Sequence, residues 1–161
     1  MEVMANGSLN YTVKGICIGM KVTWNYTPPT NGGDTFTSIK KGSKATLKIV
    51  QDEKNGFVKE LYIQKEPDID NRTFEAQLQK TVEQLQITYP FLSVKNKKNG
   101  TYLIDIPQEK RLGHEEHFSK VAKAFLHYVD NKDMPEWENE NTLAKYYITT
   151  TAVEMAKIGN K

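Results

Sequence analysis

The first third of the chain alternates apolar and polar residues with the period of two that is typical of half-buried β-strands. Leu9, Tyr11 and Val13 alternate with polar residues, and a longer alternation begins after Gly15. Its apolar side consists of Ile16, Ile18, Met20, Val22, Trp24 and Tyr26. We therefore predict two strands that present one face to a core and a polar face to the other side.

A segment rich in proline and glycine then interrupts the strand pattern. It runs from Pro28 through Asn31-Gly32-Gly33 to Asp34, where the prolines lack a donor and the glycines permit positive φ angles. Strands are predicted over residues 36–39 and 44–51. An Asn55-Gly56 turn then leads into a further strand at Leu61 and Ile63, and this dipeptide is typical of antiparallel hairpins.

Three later segments repeat apolar residues every three or four positions, which predicts amphipathic helices. The first covers residues 71–87, with Asp70 or Asn71 as its N-cap. The second follows Gly113, and the third runs from the cap Asn141 or Thr142 to about Ile158. The second stripe consists of Phe118, Val121, Ala122, Phe125, Leu126 and Val129. The third stripe consists of Leu143, Ala144, Tyr147, Ile148, Ala152 and Met155, and predicts a helix packed on more than one side.

The order of these elements predicts the fold class. Two more strands, near residues 92–95 and 101–106, lie between the first and second helices and join at Asn99-Gly100. Strands, helix, strands and two helices favour an α+β fold, in which a largely antiparallel, open-faced sheet carries about three helices on one face. The other face is expected to be rich in Thr and Lys and available to a partner. Its members are Thr12, Lys21, Thr23, Thr46, Lys48 and Thr101.

Composition narrows the classes of partner. At 161 residues and 18.4 kDa the chain has the size of one domain, which we place at residues 1–161. Its 22 basic and 20 acidic residues create no broad positive field, so nucleic acid is not an expected partner. No apolar stretch approaches the roughly 20 residues that span a bilayer, so no membrane association is expected. The single cysteine, Cys17, is interpreted as a small sheet residue.

The residues alone suggest no catalytic constellation. His114 and His117 are three positions apart at a helix start, which differs from the HExxH pattern of zinc enzymes, so no metal is expected. Gly32-Gly33-Asp34 lacks the spacing of a nucleotide-binding glycine loop. With no nucleophile beside a base and no paired carboxylates, the sequence favours a binding or association domain.

Two groups of segments resemble a known family. The first consists of Asn6-Gly7-Ser8-Leu9-Asn10-Tyr11-Thr12, Val22-Thr23-Trp24-Asn25-Tyr26, Pro28-Pro29-Thr30-Asn31-Gly32-Gly33-Asp34-Thr35 and Lys41-Gly42-Ser43-Lys44-Ala45. The second consists of Gly113-His114-Glu115-Glu116-His117-Phe118, Met134-Pro135-Glu136-Trp137-Glu138 and Asn141-Thr142-Leu143-Ala144-Lys145-Tyr146-Tyr147. Both resemble the C-terminal domain of Gfo/Idh/MocA-family oxidoreductases, where a strand ending in Trp leads into a Gly-Gly-Asp-Thr loop.

The resemblance implies a two-domain parent enzyme. Its N-terminal Rossmann domain would bind NAD or NADP, and this C-terminal domain would supply part of a sugar or polyol pocket and a homo-oligomer interface through the open sheet face. The sequence lacks the Rossmann fingerprint and the Glu-Lys-Pro segment that carries the family's catalytic lysine. This chain alone is therefore expected to bind no cofactor and to be inactive, and no catalytic residue is assigned.

The resemblance also indicates residues near a substrate. They are Trp24, Asp34 and Thr35, with His114 farther away, while Phe36 occupies the position where the family has a histidine.

Two other interpretations stay open at this point. The chain could be a stand-alone, non-catalytic carbohydrate-binding or protein-association module, or half of a glycosidase that oxidises its substrate transiently with NAD. The start Met1-Glu2-Val3-Met4, directly before a strand, favours a truncated two-domain enzyme. The sequence leaves the compartment open, with the cytoplasm favoured and an upstream targeting signal compatible with it.

Overall fold

The computed structural model describes residues 6–159, which divide into two compact units. Of the described residues, the first unit comprises those up to Thr27 and from Glu115 onward, and the second comprises Pro28–His114. In chain order the strands and helices are β1 (Gly7–Val13), β2 (Ile16–Val22), β3 (Phe36–Lys41), β4 (Ala45–Gln51), β5 (Glu60–Lys65), α1 (Asn71–Gln86), β6 (Ser93–Asn96), β7 (Thr101–Asp105), α2 (His114–Asn131) and α3 (Glu136–Gly159). Short 3-10 helices occupy Glu53–Asn55 and Gln108–Lys110.

In the first unit, β1 and β2 form an antiparallel hairpin. Lys14 and Gly15 both have positive φ angles, 49° and 80°, as a two-residue hairpin turn requires. The register ends at the pair Gly7 and Val22, so β2 is shorter than predicted and Trp24 lies beyond it. The apolar side of β2, predicted to face a core, is largely exposed in this chain, since the hairpin pairs only with itself. Thr12 and Lys21 therefore belong to this hairpin and not to a strand of the five-stranded sheet, and Thr23 follows β2.

The helices of the first unit differ in how well the sequence predicted them. Helix α2 begins at His114 as predicted, but α3 begins at Glu136 and not at Asn141 or Thr142. Pro135 accepts a hydrogen bond from the Glu138 amide at 3.0 Å, and the first turn carries acidic residues. Both features suit a helix N-terminus. There the N–H that proline lacks would have no intrahelical acceptor, and carboxylates interact favourably with the positive end of the helix dipole.

The second unit is a five-stranded, wholly antiparallel sheet in the order β3-β4-β5-β7-β6. Helix α1 packs on one face, where the Phe74 and Tyr102 rings lie 5.6 Å apart and the Tyr102 hydroxyl donates to Glu75. Asp70 caps this helix through the Thr73 amide at 2.8 Å, as predicted. The backbone and hydroxyl of Thr73 that bond to this carboxylate lower the pKa of Asp70.

The predicted α+β class is confirmed, with three helices, an open antiparallel sheet and a separate hairpin. Among residues 6–159, the buried apolar side chains are Val82, Tyr102, Leu103 and Ile104, all in the second unit. No helix in the same range has the length and apolar character needed to cross a membrane.

Candidate functional site

Two surfaces of the second unit carry the polar groups that could bind a partner or a ligand. The first, which we name the open face, is the face of the sheet opposite α1. It forms a shallow concavity of about 480 Å³ lined by Thr46, Lys48, Val50, Tyr62, Gln64 and Thr101. The alternation of each strand places Leu47, Ile63 and Tyr102 on the α1 side. The Thr- and Lys-rich face predicted from the sequence is confirmed for Thr46, Lys48 and Thr101.

Polar side chains on the open face are bonded to one another. The Tyr62 hydroxyl donates to Glu60, the Thr101 hydroxyl donates to Gln64, and the Gln64 amide donates to the Asn99 carbonyl at 3.1 Å. The hydrogen bond to the Glu60 carboxylate, together with desolvation, raises the pKa of Tyr62 to about 12. At neutral pH the protonated phenol donates to the Glu60 carboxylate.

The second surface is the Asp34 corner, defined as residues 32–35, Gln51, Lys59 and Arg111. It lies at one end of the sheet along the strand direction. Antiparallel pairing brings the start of β3, the end of β4 and the start of β5 together there. Phe36 pairs with Gln51, and the Gln51 side-chain amide donates to the Asp34 carbonyl at 3.0 Å. The end of β4 thus holds the loop that precedes β3.

A tight turn shapes the loop of the Asp34 corner. The Gly32 amide donates to the Pro29 carbonyl at 2.7 Å, and Asn31 between them has a φ of 62°. A Cβ at position 32 would lie 2.8 Å from that carbonyl oxygen, so only glycine fits without displacement. The side chains of Asp34 and Thr35 follow this turn and are exposed.

Basic groups complete the corner. Arg111 donates from Nη1 to the Lys59 carbonyl at 2.7 Å and from Nε to the Ile106 carbonyl at 3.0 Å. The Lys59 ammonium lies 5.0 Å from the centre of the Phe36 ring, a cation–π distance. A cation therefore lies beside the aromatic ring that follows Thr35. Carboxylate, hydroxyl and ammonium groups at one corner can donate and accept hydrogen bonds to a polyhydroxylated ligand.

The structure places the four predicted site residues differently. Asp34 and Thr35 lie in the corner, and His114 is the exposed first residue of α2, three positions after Arg111. Trp24 belongs to the first unit, where it is 74% exposed and its amide donates to the Asn6 side chain at 2.6 Å. The substrate-binding roles of all four stay predictions.

Three residues of the corner were missed by sequence reasoning. Gln51 looks like the last residue of a strand, Lys59 looks like part of a charged turn, and Arg111 follows a short polar segment. Their contacts join residues 17 and 52 positions apart, so no local pattern marks them.

Within residues 6–159, no group of three or more His, Cys, Asp or Glu side chains is arranged to hold a metal ion. Cys17 is exposed on the hairpin, 3.9 Å from the Thr12 hydroxyl. The described residues therefore form an α+β fold in which polar groups lie on an open sheet face and at one corner of the sheet.

Comparison with known proteins identifies the domain. Residues 1–157 match the family described as "Putative oxidoreductase C terminal domain", and the chain belongs to this family. It is similar to a solved structure of a putative oxidoreductase from Parabacteroides merdae ATCC 43184, with a TM-score of 0.91 and 39% sequence identity. The match covers 96% of this chain and 35% of that chain, so this chain spans about a third of the length of that protein. No protein of curated function matches the sequence.

Proposed function

We propose that this chain is the C-terminal substrate-binding and oligomerisation domain of an NAD(P)-dependent oxidoreductase of the Gfo/Idh/MocA family that acts on a sugar or polyol. The observation that carries the proposal is the match of nearly the whole chain to about a third of a longer oxidoreductase. The occurrence of this domain within a longer polypeptide supports a role for it in the pocket and the assembly of that polypeptide.

The Asp34 corner supports the substrate-binding role. The Asp34 carboxylate and the Thr35 hydroxyl are exposed on a loop that Gly32 and Gln51 hold in place. Hydroxyl groups of a sugar can donate to the carboxylate and exchange hydrogen bonds with the threonine. A loop fixed by backbone contacts presents these groups with little entropy loss on binding.

The open face supports the oligomerisation role. Its strands expose a broad surface of Thr, Lys, Tyr and Gln side chains with a shallow concavity. A sheet face of this kind can pack on the same face of a second copy around a twofold axis, because the two surfaces are identical.

The dinucleotide would bind outside this chain. The sequence contains no G-x-G-x-x-G segment that could cradle a pyrophosphate. This domain therefore contributes the substrate side of the pocket, and hydride transfer would take place against a cofactor held by another part of the enzyme.

The substrate role is tested in the polypeptide produced by the natural gene. Reduction of NAD⁺ and NADP⁺ is measured with a panel of sugars and polyols, and the best substrate is used to compare variants. Asp34→Asn and Thr35→Val are expected to raise KM by about 10- to 100-fold, the effect of losing a hydrogen bond to a bound ligand. Asp68→Asn, at an exposed carboxylate before α1, serves as the matched control and should leave KM unchanged.

Two outcomes would overturn the proposal. A natural polypeptide near 18.4 kDa would leave no room for a cofactor domain. Corner variants with the KM of the control would remove Asp34 and Thr35 from the pocket.

The oligomerisation role is tested by sedimentation of the same polypeptide. Thr101→Arg places a long cation on the open face and should dissociate the oligomer, whereas Lys80→Glu on the exposed side of α1 should not. An unchanged mass for Thr101→Arg would exclude this face as the interface.

A further inference from the structure

The two helices of the first unit expose an unusual amount of apolar surface. Eleven large apolar side chains on α2 and α3 are each more than half exposed. They are Phe118, Val121, Phe125, Leu126, Val129, Trp137, Leu143, Tyr146, Tyr147, Met155 and Ile158. Contiguous exposed apolar patches of this kind mark interaction surfaces in soluble proteins.

Helical geometry arranges these residues in stripes. At 100° per residue, the five exposed apolar residues of α2 fall within an arc of about 140°. On α3, the six exposed apolar residues fall within an arc of about 180°. Helix α2 therefore has the amphipathic pattern of an element whose apolar side is normally covered, and α3 is apolar over about half of its circumference. We name these two stripes together the helical stripes.

The first unit has no covered core of its own among the described residues. The four buried apolar side chains of residues 6–159 all belong to the second unit. A unit of two helices and a hairpin is stabilised mainly by burial of its apolar faces, so its stripes need a partner in every state in which it is folded.

We propose that the helical stripes dock against the part of the oxidoreductase polypeptide that lies outside this domain. The inference rests on the proposed function, which assigns no partner to the helical stripes. The similar oxidoreductase has about two thirds of its chain beyond the matched region, which is enough to cover such a surface.

The apolar stripes are suited to a permanent interface, and tethering within one polypeptide favours this occupant over a second copy of the chain. Permanent interfaces are more hydrophobic than the average protein surface, and the stripes are aromatic and aliphatic. A segment of the same polypeptide is present at a high effective concentration and covers the stripes even when the protein is dilute. The polar open face differs in composition and is the surface assigned to a second copy.

Hydroxyl-radical footprinting tests the docking. The natural polypeptide and the 161-residue chain are oxidised side by side, and modification of Phe118, Phe125, Tyr147 and Met155 is quantified by mass spectrometry. Tyr89, which is 48% exposed in the second unit, is the internal reference. We expect the four stripe residues to be modified about fivefold less in the natural polypeptide, as for side chains in an interface core, at every protein concentration.

Each other outcome overturns a distinct step. A longer polypeptide whose stripes are oxidised as strongly as in the isolated chain would refute the docking and leave the proposed function standing. Protection that increases with protein concentration would assign the stripes to a second copy. A natural polypeptide of about 18.4 kDa would refute the proposed function and the docking together.

A pair of variants provides an independent readout. In the natural polypeptide, Phe125→Asp should expose the chain to limited proteolysis, while Lys123→Asp, two positions away on the same helix and outside the stripe, should not. Equal sensitivity of the two variants would contradict the docking.

Discussion

The ammonium of Lys65, at the end of β5, donates to the main-chain carbonyl of Ile69 at 2.5 Å. The same group also donates to the Glu66 carbonyl at 3.0 Å. Lys65 is only 8% exposed, so its charge lies in the protein and is balanced by carbonyl dipoles. This contact fixes the turn between β5 and α1, directly before the N-cap Asp70.

Replacing this lysine should therefore destabilise the second unit. Lys65→Met keeps the apolar stem but removes the ammonium that donates to the Ile69 and Glu66 carbonyls, at a cost of about 1 to 3 kcal/mol. Urea denaturation of the 161-residue chain, followed by circular dichroism, measures the change. Lys48→Met on the open face is the control and should change the free energy of unfolding by less than about 0.5 kcal/mol. A Lys65→Met chain as stable as the parent would mean that the desolvation of the ammonium cancels its hydrogen bonds.

The contact between α1 and the sheet offers a second test. Glu75 accepts hydrogen bonds from the Tyr102 hydroxyl at 2.8 Å and from the Asn96 amide at 3.2 Å. Tyr102→Phe should lower the free energy of unfolding by about 1 kcal/mol, because the buried ring is kept and one hydrogen bond is lost. Tyr146→Phe, on an exposed ring, should have no measurable effect. A double-mutant cycle with Glu75→Gln would show no coupling if the two residues did not interact.

The phenol of Tyr62 should titrate late. Its hydrogen bond to Glu60 raises its pKa from 10.0 to about 12. The ultraviolet titration curve of the parent chain, after subtraction of the curve of Tyr62→Phe, should therefore show one tyrosinate appearing near pH 12. Glu60→Gln should move that midpoint back toward 10.0, since the acceptor charge is removed. A midpoint near 10.0 in the parent chain would contradict the hydrogen bond.

The raised pKa of Tyr62 makes the free energy of unfolding depend on pH. The folded state holds the Tyr62 proton more tightly than the unfolded state, so the contribution is fully present below pH 10. It is lost as the pH rises from 10 toward 12, and the stability difference between the parent chain and Tyr62→Phe should shrink over that interval.

The turn before Asp34 should not tolerate a side chain at position 32. A Cβ there would lie 2.8 Å from the Pro29 carbonyl, so Gly32→Ala must displace the loop and lower the free energy of unfolding by about 1 to 3 kcal/mol. Gly7→Ala, where a Cβ meets nothing within 4 Å, is the matched control. If thermal unfolding and urea titration gave the same stability for both variants, the turn would not constrain the corner.

Much of the fold could be predicted because it depends on short-range patterns. The 3.6-residue repeat located α1 and α2, and Asp70 was one of two predicted caps. The Asn55-Gly56 and Asn99-Gly100 turns lie between paired antiparallel strands, as their turn chemistry indicated. The start of α3 was placed too late, because Asn141 and Thr142 were chosen as caps although Pro135 is equally suited to a helix N-terminus.

Only part of the candidate site could be predicted. Asp34 and Thr35 were predicted from the resemblance of their loop to a family motif, and the structure shows a tight turn directly before them. The sequence did not indicate Gln51, Lys59 or Arg111, because their contacts depend on strand register and on the course of the chain after β7. The expectation that α3 packs on more than one side was wrong for this chain, since Leu143 and Tyr147 are exposed.

By itself the sequence determined the elements, the turns and the polar character of the open face, since backbone propensity and side-chain alternation act over a few residues. Tertiary structure decided that β1 and β2 pair with each other and not with the five-stranded sheet, that Lys65 is buried among carbonyls, and that the Arg111 side chain donates to the Lys59 carbonyl. These features depend on strand order and register, which bring together residues far apart in the chain and are selected by the packing of the whole unit.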